Sequence, residues 1–454
     1  MSLVVAVDFG STFTKAVAVD SASGALVARA ESPTTVGTDV MDGWRACRAA
    51  LLEVDRGVET AEVLACSSAG GGLRIGVVGN EELVTAEAGK RVALSSGGRV
   101  VAVVSGGLTR SSLQELRKDR PDVLLLVGGT DGGNSAVLLQ AARTLATYKW
   151  RRPVVVAGNV EAQPEVAAIL GDVPHVLAAN VVPEIGVFAP GGARAAIREM
   201  FLAHVIGGKG LSRDPAFARM VRAATPDVVL RGVEVLAGLH GDVAVVDIGG
   251  ATTDVHSVIE LDPEDANLGR EVVATHPVTR TVEGDLGMRW SAAPVVAAGI
   301  ESGLLPDDDV LRVAAARRHQ EPAYLPDSAR ETQFDEALAS VAATVALRRH
   351  AGRQRIVFGP GGRVIERSGK DLREVDLLVG SGGVLRHNGP DVAARILGSV
   401  ATNAQAEGWL VPEHAQICVD QDYVLAAVGL LADANPAAAQ GLAAHIHGTV
   451  GAGH

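Results

Sequence analysis

The chain has 454 residues, a formal net charge of −12 and 47% hydrophobic residues, with aromatic residues at only 3%. That length predicts about two to four domains, and an acidic chain without a lysine- or arginine-rich block excludes a general nucleic-acid or anionic-membrane binder. Cys47, Cys66 and Cys418 lie far apart with no Cys-x-x-Cys pair, which predicts buried thiols in a reducing compartment.

Residues 1–31 read as a three-stranded meander. The apolar run Leu3–Val7 ends in Asp8, Gly10 turns, and Ser11, Thr12 and Thr14 supply hydroxyls before Lys15. Such glycines allow close approach of a ligand to the backbone, and N–H groups and hydroxyls at the turn suit phosphate oxygens. The start lacks a basic leader region, and no apolar stretch approaches the roughly 20 residues of a membrane span. A soluble, cytoplasmic protein is expected.

Asp39–Leu52 is predicted as a helix, and Glu62–Ser67 and Leu73–Val78 as strands flanking Ser68–Gly72. There Ser67 and Ser68 serve either a phosphate or partner contact or a structural turn. From about residue 85 to 190 strands alternate with helices, with glycines at strand C-termini, which predicts a doubly wound α/β unit. Its rim carries Thr130, Asp131, Asn134, Asn159, Glu161, Asn180 and Glu184, either as ordinary helix-capping chemistry or as a dedicated site. Residues 193–240 read as helical: Ala193–Ile206, a break at the glycines of 207–210, Pro215 towards Ala224, and a last helix from Pro226.

Val243–Val258, VAVVDIGGATTDVHSV, repeats the first construction. Asp247 ends a strand, Gly249 and Gly250 turn, and Thr252, Thr253 and Asp254 follow. In alignment Asp8 falls on Asp247, Gly10 on Gly249, Thr14 on Thr253 and Lys15 on Asp254. Two phosphate hairpins imply two similar halves facing each other across one nucleotide. A carboxylate ending each strand suits hydrated Mg²⁺, which takes one or two acids, waters and the phosphates. The expected ligands are therefore a nucleotide and Mg²⁺, with Asp8 and Asp247 as metal-binding and catalytic carboxylates. Lys15 would neutralise charge on the terminal phosphates or join the halves by pairing with Asp254.

After the second hairpin, 261–270 reads as an acidic loop, Glu271–Ala274 as a strand and 280–290 as a turn. In that turn Glu283 and Asp285 either reach the nucleotide or are solvated. Residues 306–336 read as a loop or exposed helical insertion, and Phe334–His350 as a helix. Arg317–His319, Arg348–His350 and Arg353 read either as solvated surface or as a contact for an acidic partner. Gln354–Phe358 and Glu374–Val379 read as strands, the second entering Gly380, Gly382 and Gly383, a glycine turn suited to lie under a nucleoside. Helices at Asp391–Ile396 and Tyr423–Ala432, a strand at His414–Val419 and a flexible tail with His445, His447 and His454 complete the chain.

The three ligand motifs, in this order, resemble the actin/Hsp70/sugar-kinase superfamily. A P-loop or Rossmann reading is weaker, because no G-x-x-x-x-G-K-[ST] occurs and strands rather than helices follow the first two glycine turns. The runs DFGSTFTK, CSSAGGGL, GGTDGGN, AGNVEAQ, NVVPE, RTVEGDLGMR and GSGGVLRH, with the second hairpin, are similar to the MutL/GlmL family. This is the ancillary protein of adenosylcobalamin-dependent glutamate mutase, and the resemblance spans essentially the whole chain. It implies an α/β, actin-like fold of two pseudo-repeated halves with an inserted α/β unit. The expected boundaries are 1–84 and 241–454 for the halves, 85–190 for the insertion and 191–240 for a helical connection. It further implies an ATP-binding chaperone or reactivating factor whose partner is an adenosylcobalamin-dependent mutase subunit. A small-molecule kinase and a non-hydrolysing scaffold remain as alternatives, and the oligomeric state is open.

Overall fold

The computed structural model describes residues 2–69, 72–206, 210–261, 276–359, 362–401 and 407–448. The expected loop at 262–270, the strand Glu271–Ala274, the glycines at 70–71 and 207–209, and His454 lie outside the described residues. The chain divides into two compact units, one chiefly Met1–Gly232 with Ala426–Gly441, the other chiefly Val233–Glu271 with Pro277–Leu425.

The first unit holds two five-stranded sheets. Its strands are β1 (Leu3–Phe9), β2 (Phe13–Asp20), β3 (Leu26–Pro33), β4 (Glu62–Ser67), β5 (Leu73–Val78), β6 (Gly98–Val104), β7 (Val123–Leu126), β8 (Val154–Val156), β9 (His175–Leu177) and β10 (Val221–Ala224). One sheet has the order β10-β4-β1-β2-β3 and the other β6-β5-β7-β8-β9. In the first, β1 runs antiparallel to β2 and parallel to β4. All of β1 is buried, polar Asp8 included, as expected of a strand covered on both faces. The helix Val40–Val54 packs on this sheet, started by Asp39, whose carboxylate accepts from Met41 N at 2.8 Å. Its Leu51 is fully buried, a contribution of about 1.5–3 kcal/mol.

The second sheet is parallel throughout. In chain order its strands run second, first, third, fourth, fifth, the doubly wound pattern whose switch point falls between first and third strands. Because β5 pairs with both β6 and β7, this sheet takes in Leu73–Val78, which the sequence analysis assigns to the preceding half. The whole unit lies in the crossover from β4 to β10.

The second unit repeats the first sheet. Its strands are β11 (Val243–Ile248), β12 (Thr253–Val258), β13 (Val278–Glu283), β14 (Arg353–Gly359), β15 (Gly362–Ser368), β16 (Leu377–Ser381) and β17 (Gln416–Val419). Five of them form a sheet in the order β13-β12-β11-β16-β17, and β14 and β15 form a separate hairpin. Position by position this matches β3-β2-β1-β4-β10, with the same directions: β11 is antiparallel to β12 and parallel to β16. The long helix Ala329–His350 covers it with the buried face Leu338, Val341, Ala342, Val345 and Ala346.

Several expectations are corrected. Pro215 starts a helix that ends at Met220, and Val221–Ala224 is a strand held by parallel pairing with β4. The segment read as a turn from Arg280 is the end of β13 up to Glu283. Arg318, Arg348 and His350 are buried rather than solvated. Arg318 is fully enclosed and donates to Asp335 at 2.6 Å, with Glu331 at 3.0 Å. Charge pairing makes such burial tolerable. The tail forms a further helix, Pro436–Ala444, and His445 Nε2 lies 2.7 Å from Asp422 Oδ2.

Candidate functional site: two carboxylates and three glycine turns

In the first unit Asp8 stands opposite Lys15 on β2 and Cys66 on β4. Its buried Oδ1 accepts from Thr225 Oγ1 at 2.5 Å and from Cys66 Sγ at 3.5 Å. Burial and the nearby Asp8 charge push the Cys66 thiol well above its ordinary range, so it stays protonated and able to donate. Thr225 opens the helix Thr225–His240. The start of that helix is pinned by Asp227, which Arg198 binds at 2.7 Å and Arg194 at 3.3 Å. The sequence marks Cys66 only as a buried thiol near the end of the β4 run, and nothing in it places Thr225 beside Asp8.

The turn after Asp8 closes through Gly10 N donating to Phe13 O at 3.1 Å. A Cβ on Gly10 would stand 2.5 Å from that oxygen, so the turn demands glycine. Ser11 and Thr12 are exposed at its tip. Thr14 is fully buried, its hydroxyl 3.1 Å from Thr34 Oγ1. It therefore braces the turn instead of presenting a hydroxyl to a ligand. Ser68 N and Ala69 N both donate to Phe9 O at 3.0 Å, so the backbone just after β4 builds the floor behind the same turn.

In the second unit Asp247 stands opposite Asp254 on β12 and Ser381 on β16. The pairing reproduces the alignment of Asp8 on Asp247 and Lys15 on Asp254. Asp254 is bound by Arg280, whose Nε lies 3.0 Å from Oδ1, and Thr252 Oγ1 donates to its other oxygen at 3.1 Å. The Gly249–Thr252 turn closes by Gly249 N to Thr252 O at 2.9 Å.

The segment after β13 clamps this turn. Met288 N donates to Gly249 O at 3.0 Å, Arg289 N to Gly250 O at 2.8 Å, and Ser291 Oγ to Ala251 O at 2.8 Å. Thr253, fully buried, donates its hydroxyl to Leu286 O at 2.5 Å, so it too braces the turn. Arg289 reaches on to Asp335 at 3.0 Å, tying the clamp to the helix that covers the sheet. Glu283 and Asp285 both accept from Arg349, at 2.7 Å each. Burial raises the Glu283 pKa, while the Arg349 hydrogen bond lowers that of Asp285.

The third turn leaves β16. Gly382 has φ +106°, and a Cβ there would fall 2.2 Å from Ile248 O. The turn thus passes directly over the backbone next to Asp247, which only glycine permits. Gly380 faces Leu385 and Leu397 in the same way, its Cβ position 2.7 Å from the former. Gly383 is different: it is exposed, and a Cβ would meet only His387 Cδ2, at 3.9 Å. Open space lies above Gly383, and Gly250 is likewise exposed, with only Arg289 carbons at 3.8 Å. Among the described residues no group of three acids, histidines or cysteines could hold a metal. The donor set fits Mg²⁺ only as one or two carboxylates acting together with phosphates.

The model of the MutL protein family matches residues 4–446. Protein MutL of Clostridium tetanomorphum is 36% identical over 451 residues, covering 96% of this chain and 97% of its own. The chain belongs to the MutL protein family. Among solved structures it is similar to acetone carboxylase in its nucleotide-free form, at 15% identity and TM-score 0.40, covering 95% of this chain and 70% of that one. It is also similar to the activator of 2-hydroxyisocaproyl-CoA dehydratase from Clostridium difficile, at 10% identity and TM-score 0.32, covering 96% and 95%. In this MutL family member the motif residues Gly249, Gly250, Thr252, Asp247 and Gly380–Gly383 gather around the end of one strand pair in the second unit. Asp8, Gly10, Ser11, Thr12 and Lys15 gather likewise in the first.

Proposed function

We propose that this MutL family member is an ATP- and Mg²⁺-dependent accessory protein, a reactivating factor for an adenosylcobalamin-dependent mutase such as glutamate mutase. The observation that carries the reading is the repeat: each unit ends a buried central strand in a carboxylate, Asp8 or Asp247, followed by a glycine turn braced from behind. A carboxylate repeated at the same place in both sheets, each beside a glycine turn whose tip is exposed, supports a phosphate and metal site, since Mg²⁺ is held by one or two carboxylates together with phosphates. In the second unit Gly249, Gly250 and Thr252 would receive phosphate oxygens, and the exposed face of Gly383 the nucleoside. In the first unit Gly10, Ser11, Thr12 and Lys15 would receive phosphate. Asp247 would orient the attacking water and Asp8 would hold the metal's hydration shell. Mg²⁺ supplies neutralisation of charge on the departing phosphoryl group.

Thr14, Thr253, Gly380 and Gly382 support these contacts from behind and need not touch the nucleotide. Membership of the MutL family supports the mutase as client.

The test is ATP turnover by the full chain, alone and with the subunits of glutamate mutase. Slow basal turnover that rises on adding the mutase is expected. Turnover that depends instead on a small-molecule acceptor would make the chain a kinase, and no turnover with tight ATP binding would make it a scaffold.

A further inference from the structure

Ligands of doubly wound sheets lie beyond the carboxyl ends of the strands, and in this chain the loops leaving β7, β8 and β9 form one braced surface there. Asn180 Nδ2 donates to Gly129 O at 2.9 Å and to Asp131 Oδ1 at 2.8 Å. Val160 N donates to the same carboxylate oxygen at 3.0 Å, and Asp131 N to Pro183 O at 2.9 Å. Asn159 and Asn180 are buried. Asn159 Nδ2 donates to Gly133 O at 3.2 Å, so both amides are directed inward to bracing.

What these loops turn outward is of another kind. Ile185 is 84% exposed, and Val187 and Val160 are 44% and 41% exposed. Around them Asp131, Glu161 and Glu184 are exposed, and residues 128–134, 158–163 and 179–189 contain no lysine or arginine. Such a rim repels a phosphate-bearing ligand. An apolar centre with a charged border is the anatomy of a protein interface, and here three exposed apolar side chains stand on neighbouring loops tied together through Asp131.

We propose that this rim is a docking surface for a partner protein that brings an apolar patch bordered by lysine or arginine. A second copy of this chain fits it poorly, because the chain carries a net charge of −12. The choice of partner for the test rests on the proposed function.

Binding of the full chain to glutamate mutase, both subunits present, is measured by calorimetry and by association kinetics at low and high salt. Ile185→Ser is expected to weaken binding at least about tenfold. The double variant Glu161→Lys/Glu184→Lys is expected to slow association and flatten its salt dependence, since rim charges act mainly on the on-rate. All three positions are exposed, and an unchanged melting temperature would establish that the variants are folded. If the unaltered chain binds and the variants bind equally well, the docking surface is overturned and the proposed function stands. If the unaltered chain does not bind, the mutase assignment falls, and with it this surface as its contact. A dimer of the chain that dissociates on Ile185→Ser would assign the patch to self-association and overturn the proposal.

Discussion

Thr225 donates its hydroxyl hydrogen to Asp8 Oδ1 at 2.5 Å, and the Cys66 thiol meets the same oxygen at 3.5 Å. The carboxylate is therefore oriented by two neighbours from β10's end and β4, neither of which belongs to the motif that contains it. In the repeated sheet Ser381 takes the place of Cys66, and Asp420 follows β17 as Thr225 follows β10. Asp420 there caps the next helix, accepting from Val424 N at 2.8 Å and Leu425 N at 3.1 Å. The repeat has diverged at the residues that set carboxylate orientation.

Thr225→Val keeps the shape of the side chain and removes the donor from a buried carboxylate. A loss of about 1–3 kcal/mol in folding stability is expected, along with lower ATP turnover, while Thr225→Ser should restore both. Denaturant unfolding and turnover assays check it; a valine variant with unaltered stability and turnover would show that the contact does not orient Asp8.

Gly382 and Gly383 are adjacent, yet their substitutions should behave differently. A side chain at Gly382 meets the Ile248 backbone and takes a strained left-handed conformation, so Gly382→Val should lower the melting temperature with or without ATP. Gly383→Val meets open space, so the fold should persist while affinity for ATP falls more than affinity for inorganic pyrophosphate. Equal loss for both ligands at Gly383 would remove that turn from the nucleoside site.

The two hairpins were legible because their chemistry is local: an apolar run, an acid and a glycine name a strand and its turn. Alternating strands and helices revealed the inserted unit for the same reason. What escaped depends on partners far away in the sequence. Val221–Ala224 continues a helical composition and becomes a strand only through pairing with β4. Arg318 and Arg348 look like surface cations; Asp335 and Glu407, their partners at 2.6 and 3.0 Å, are not visible from the basic run. Position alone makes Thr14 and Thr253 look like ligand hydroxyls. A side chain beside a turn can face either side of it, and here both face inward.

His350 offers a pH test. Its ring lies between Ser257 Oγ, 2.8 Å from Nε2, and Thr281 Oγ1, 2.9 Å from Nδ1. Burial, with the Lys370 charge adding to it, lowers its pKa from 6.5 to about 3. The folded protein therefore refuses a proton that the unfolded chain accepts. Stability is fully present above about pH 6.5 and falls as the pH drops towards 3, by about 1.4 kcal/mol per unit for this one group. His256, also buried and lowered, acts in the same direction. His350→Gln can keep the hydroxyl contacts without titrating, so its unfolding free energy should decline less steeply between pH 6 and 4. Identical slopes for the two proteins would show that His350 is not the linked group.

The central claim is that Asp247 ends its strand in order to serve a Mg²⁺–ATP complex. The most direct measurement is a calorimetric titration of the full chain with ATP, with and without Mg²⁺, repeated on Asp247→Asn. The account predicts saturable binding that Mg²⁺ strengthens in the unaltered chain. In the variant it predicts retained fold, weaker binding and little or no strengthening by Mg²⁺. Binding that Mg²⁺ strengthens equally in both proteins, or no ATP binding by the unaltered chain, would contradict it.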